Sequence, residues 1–210
     1  MQSSKRTLLG LLFLCTVTLV GAAQAGTGPA AKDENKSDFY SGLGDYFRLP
    51  DSVVRAIHER RVPEDELAVV FFLARQAAIQ PEDVTDLRLL RKSWMELTAH
   101  FGLTAEIYYV PLTSDPAPPF ARPYALYKTQ PRNLWKRIIL EDSDILNLVN
   151  LRFVSTYFKV PTSEVIRLRA QNKSFAAIVK EVTSPEYKAK MNVTEKQVRP
   201  HLREPKKKDQ

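Results

Sequence analysis

The phrase YFRLPDSVVRAI at residues 46–57 returns as YFKVPTSEVIRL at residues 157–168, keeping Tyr, Phe, a basic residue, an aliphatic one, Pro, Ser and Val in register. The second copy runs on into a third. EVIRLRAQNKSFAAI at 164–178 aligns with DVTDLRLLRKSWMEL at 83–97, so Val84, Leu87, Arg88, Lys92, Ser93, Trp94 and Leu97 face Val165, Leu168, Arg169, Lys173, Ser174, Phe175 and Ile178. A fainter echo lies in NVTEKQVRPHL near the end. A unit repeated in this way cannot bury its apolar side alone, so copies must stack into a shared core.

The unit reads as helical. Pro50, Pro81 and Pro161 stand where a helix begins, because proline fixes φ and loses no hydrogen bond there. Asp51, Glu82, Asp83 and Glu164 follow in the first turn, facing the positive end of the helix dipole. Val54 and Ile57, Val84 and Leu87, and Val165 and Leu168 are spaced to share one helix face. ELAVVFFLARQAA after Pro63 places Leu67, Val70, Phe71, Ala74 and Ala78 at helical spacing, and DSDILNLVNLRFVSTYF at 142–158 does the same with Ile145, Leu148, Val149, Phe153 and Tyr157. Ser93 with Glu96 makes a capping box, and Gly102 closes the same helix. Past Gly44 it is the sole glycine, which disfavours sheets with tight hairpins. The expected fold is all-α, with repeated helix-turn-helix-like units packed into one helical domain.

A proline-rich strap divides two halves. VPLTSDPAPPFARPYALYKTQPRN at 110–133 holds six prolines, a density that predicts neither a helix nor an interior strand. Its rings alternate with bases. Packing over the helices through its aromatics is one role for it, and contact with a partner through Phe120, Arg122, Tyr124, Tyr127 and Lys128 is the other.

The N-terminus has Lys5 and Arg6, an apolar run from Leu8 to Val20, and Ala23 and Ala25 in an A-x-A arrangement. This is the layout of a secretory signal peptide cut after Ala25, and it predicts an exported protein of the periplasm or extracellular space with no membrane span after cleavage. Cys15, the single cysteine, would leave with it, so neither a disulfide nor a Cys-ligated metal is expected. Cleavage removes Lys5 and Arg6 and no acid, so the net charge of +7 becomes +5. Such a mild excess argues only weakly for a polyanionic partner. The expected organisation is a signal peptide at 1–25, a flexible leader at 26–40, helical halves at 41–110 and 135–185 about the connection at 111–134, and a basic tail at 186–210.

Specific chemistries find little support. ELTAHFGLT resembles the first helix and turn of a DNA-binding helix-turn-helix, but the following AEIYYV is short and lacks Arg and Lys, so sequence-specific DNA binding is not expected. His58, His100 and His201 are far apart and suggest no metal. Nucleophile motifs and glycine-rich phosphate loops are missing from the chain after Ala25. No cofactor and no catalytic residue is predicted.

The phrases LPDSVVRAIHERRVPEDELAVVFFLA, LRKSWMELTAHFGL and NLVNLRFVSTYFKVPTSEVIRLRAQNKSFAAIV together resemble a family of exported bacterial proteins of uncharacterised activity built from such helical units. The resemblance implies a helical, envelope-facing protein and carries over no functional residue. The reading is a non-enzymatic binding or structural protein of the cell envelope, with an envelope protein or glycan as partner. The alternatives are an enzyme acting on an envelope polymer through Glu59, Glu96 or Glu106, and a nonspecific nucleic-acid binder using the tail at 203–210.

Overall fold

The computed structural model describes residues 38–198. The expected signal peptide, most of the leader and the basic end of the tail lie outside the described residues. Those described form a single all-α helical domain of ten α-helices and three short 3-10 helices, with no strand among them. The helices are α1 (Asp38–Phe47), α2 (Asp51–Glu59), α3 (Leu67–Ala77), α4 (Pro81–Leu89), α5 (Trp94–His100), α6 (Ala121–Thr129), α7 (Asp142–Tyr157), α8 (Thr162–Arg169), α9 (Phe175–Thr183) and α10 (Pro185–Val198). The 3-10 helices are Glu64–Glu66, Ala105–Tyr108 and Arg132–Arg137.

The centre is the pair α3 and α7. All of Leu67 to Ala74 is buried on α3, as expected of a helix apolar on every side that must be wrapped by others. On α7, Ile145, Leu148, Val149, Leu151, Phe153 and Val154 are buried, together with Asp144, Asn147 and Asn150. α4 packs on α3 and α5, α8 packs on α7 and α9, and α1 touches α2, α3, α7 and α9. α1 comes close at Gly42, where an added Cβ would stand 2.7 Å from the Phe158 ring and 3.0 Å from that of Tyr157. All four rings of the two Tyr-Phe phrases pack in this zone: Phe153 is met by Tyr46 at 5.4 Å, Phe47 at 6.2 Å, Tyr157 at 6.1 Å and Phe158 at 5.7 Å.

The repeat is realised as helix, left-handed turn, capped helix. Seven positions beyond Val54, Val84 and Val165 stand Arg61 (φ 63°), Arg91 (φ 63°) and Asn172 (φ 60°). Each returns its amide to the carbonyl three residues back, His58, Arg88 and Arg169, at 3.0, 2.9 and 2.9 Å. Arg48 (φ 58°) and Lys159 (φ 58°) are a further matched pair after Tyr-Phe. Ser93 and Ser174 then cap α5 and α9, each accepting from the amide three residues on, and Glu96 completes a box at Ser93. Gly102 closes α5 at φ 69°.

The two matched arginines build matched networks. Arg88 lies 4.4 Å over the Trp94 ring and donates to Lys92 O at 2.9 Å; Arg169 lies 4.7 Å over the Phe175 ring and donates to Lys173 O at 2.7 Å. Each then reaches an acid of the other half. Asp142 accepts from Arg88 at 2.7 Å and from the Trp94 amide at 2.7 Å. Asp65 accepts from the Phe175 amide at 2.8 Å and faces Arg169 at 3.5 Å. Both acids precede or open a central helix, so the start of α7 holds the first half's turn and the approach to α3 holds the second's. Glu66 on Arg88 and Asn147 on Arg169 complete the sets.

The strap departs from expectation. Its prolines bracket a helix instead of preventing one: α6 spans Ala121–Thr129. Pro123 falls in the first turn, where an amide has no partner within the helix, so its missing N–H costs nothing. Pro116, Pro118 and Pro119 precede the helix and Pro131 follows it.

Candidate functional site

The strap is fastened by its own rings. Phe120 is fully buried, and Tyr124 and Tyr127, four and seven residues on, continue its inward face. The Tyr124 hydroxyl donates to Val110 O at 2.5 Å and that of Tyr127 to Ala105 O at 2.6 Å. Trp135 sends its indole N–H to Tyr127 O and Gln130 O, both at 3.0 Å. Burial pushes the phenols of Tyr124 and Tyr127 well above their ordinary values, so both stay neutral donors. Tyr109 closes the group, with ring centroids 4.5 Å from Trp135, 5.2 Å from Tyr127 and 6.0 Å from Tyr124. Arg152 holds the Tyr109 carbonyl at 2.8 Å from below.

Tyr109, Tyr124, Tyr127 and Trp135 wall a cleft of about 240 Å³, lined also by Leu112, Thr113, Ser114, Asp115 and Lys128. Lys128 and Asp115 pair across its mouth at 2.6 Å, 70% and 78% exposed. A pair so open to water is weakly held and is able to trade partners. Beside it, the Arg132 guanidinium lies over the Trp135 ring, 4.0 Å from its centroid, and Arg132 forms no ion pair among the described residues. From Pro116 to Leu140 the chain has no acid and five bases, Arg122, Lys128, Arg132, Lys136 and Arg137. Across the 112–117 loop, a second cleft of about 320 Å³ opens against Thr162, Ser163, Ile166, Arg167 and Ala170 of α8 and the turn after it.

The structure thus divides the predicted contact residues. Tyr124, Tyr127 and Lys128 line the cleft, while Phe120 is core beneath it. Arg122 points to the start of α7, pairing with Glu141 at 2.9 Å and with Asp144. Tyr109, Asp115 and Trp135 were not singled out by sequence. The available signal was that Tyr109 and Trp135 flank the proline-rich segment and had to pack against something.

The carboxylates of the enzymatic alternative are dispersed. Glu59, Glu96 and Glu106 are exposed, and Glu96 is engaged by the Ser93 amide at 2.7 Å and hydroxyl at 2.8 Å, which hold its carboxyl below the ordinary value. The two clefts beside the 112–117 loop share one carboxylate, Asp115. The helix-turn-helix stretch is followed by the 3-10 turn Ala105–Tyr108, whose Tyr108 is buried against Thr98 at 2.6 Å. Among the described residues no group of three His, Cys, Asp or Glu is placed to hold a metal ion, and no helix is long and apolar enough to cross a membrane. What the fold and cleft define is an all-α domain with an aromatic, cation-rimmed cleft. No family model, curated protein or solved structure matches the chain.

Proposed function

We propose that the chain is an exported, non-enzymatic binding protein of the cell envelope, and that it holds an acidic glycan or protein group in the aromatic cleft. The basic start, apolar run and A-x-A of residues 1–25 support export. The observation that carries the binding role is the convergence of Tyr109, Tyr124, Tyr127 and Trp135 on one concavity with Lys128 and Arg132 at its edge. Concave, mostly aromatic sites with a few placed polar groups are the usual form of ligand pockets. Arg132 sits over the Trp135 ring, 4.0 Å from its centroid, and its guanidinium suits forked pairing with a carboxylate or sulfate.

The test titrates acidic and neutral envelope oligosaccharides and acidic peptides against the protein, following Trp135 emission in a Trp94→Phe background. Phe serves at the equivalent position 175, so that background should fold. Arg132→Ala and Lys128→Ala should each weaken a saturable acidic ligand about tenfold. Tyr124 and Tyr127 are unsuitable for truncation, since their hydroxyls hold backbone carbonyls. No saturable change with any of these ligands, or identical affinity in the Arg132 and Lys128 variants, would overturn the reading.

A further inference from the structure

Three large hydrophobic side chains stand exposed among the described residues: Leu89 at 48%, Leu90 at 72% and Ile139 at 71%. They belong to two short phrases of the same composition, LLRK at 89–92 and KRII at 136–139, neither containing an acid. One ion pair links the chain beside the two phrases. Arg88, adjoining the first, is bridged to Asp142, three residues past the second, at 2.7 Å. At no more than about 3.6 Å of chain per residue, Leu90 and Ile139 each lie within about 11 Å of an end of that bridge. Leu89 also lines a shallow cleft with Val62, Pro63, Glu66, Arg88 and Arg91.

The two phrases themselves are wholly positive in charge. Arg91, Lys136 and Arg137 are exposed and form no ion pair among the described residues. Nearby acids are ion-paired: Glu66 and Asp142 share Arg88, Asp86 pairs with Arg60, and Glu141 shares Arg122 with Asp144. A nucleic acid or acidic polysaccharide would use the cations but leave Leu90 and Ile139 in water. A surface that rewards both groups has anionic headgroups above an apolar layer.

We propose that this end of the molecule, where α4 ends and α7 begins, docks on the surface of an anionic phospholipid bilayer. Leu90 and Ile139 enter the boundary between headgroups and acyl chains, and Arg91, Lys136 and Arg137 lie among the headgroups. The docking is peripheral and involves neither the aromatic cleft nor a spanning helix.

The test uses the full chain carrying Cys15→Ser, with a nitroxide on a single new thiol from Leu90→Cys, Ile139→Cys or Thr156→Cys. Thr156 is exposed near the far end of α7, about 21 Å along the axis from Asp142 at 1.5 Å per residue. With phosphatidylcholine vesicles containing roughly one third phosphatidylglycerol, labels at 90 and 139 should gain contact with oxygen and lose contact with a water-soluble relaxant, while the label at 156 should not. Arg91→Gln with Lys136→Gln should lower partitioning about 30-fold, two headgroup attractions being lost. The altered side chains are exposed, so helical circular dichroism should persist. Failure to bind anionic vesicles, equal binding to pure phosphatidylcholine, unchanged partitioning of the double variant, or bound protein whose three labels behave alike, as simple tethering by the apolar N-terminal run would give, each overturns the proposal.

Discussion

At Tyr157 the hydroxyl donates to Asp45 at 2.5 Å, tying the end of α7 to α1. That carboxylate, with some burial, pushes the phenol up to about 12. An unfolded tyrosine loses its proton near 10, so between about 10 and 12 the unfolded chain sheds a proton that the folded one keeps. Stability therefore falls as pH rises through that window. Tyr157→Phe should lower the urea midpoint at neutral pH, because the hydrogen bond is gone, and should flatten the alkaline decline. Midpoints measured from neutrality to about pH 12 in both proteins check the two effects separately. An unchanged slope would place the loss in other phenols, such as Tyr108, whose burial also raises it.

For the helical elements, the turns are costlier than the helices. Residues other than glycine occupy left-handed backbone at Arg48, Arg61, Ala78, Arg91, Lys159 and Asn172. This conformation costs an ordinary L residue roughly 1 kcal/mol, while glycine adopts it freely. Ala78 follows α3 at φ 55° and ψ 44°. Ala78→Gly should stabilise the protein by about 0.5–1 kcal/mol, read as a rise in melting temperature. Sequence reasoning located most helices because proline starts, the Ser93 box and the spacing of apolar residues are local signals. It did not mark these turns, since glycine, the usual sign of a left-handed position, is absent from them. It also failed at α6, where counting prolines said less than their places in the helix. The cleft was half legible: Tyr124, Tyr127 and Lys128 share one segment, whereas Tyr109 and Trp135 join them only through folding.

Over the whole molecule, the arginine networks join halves that are far apart in sequence. Arg88 meets Asp142 across 54 positions and Arg169 meets Asp65 across 104. The repeat alignment matched the arginines and the rings beneath them, but no local pattern could pair each with an acid so distant. Arg88 is more strongly engaged, with a two-point bond to Glu66 and a closer acid. Arg88→Ala leaves Glu66 and Asp142 facing little compensation and should cost about 3 kcal/mol in chemical denaturation, with Arg169→Ala costing less. Arg88→Lys should recover only part of the loss, because an ammonium cannot reproduce the forked contact.

This reciprocal lending of acids has the form of an isologous interface, in which each partner offers the other the same group. In this chain both offers are made within one polypeptide, each half completing a turn of the other. Severed in the exposed 112–117 loop, the two pieces should each fail to fold in isolation, and should regain cooperative helical structure when mixed.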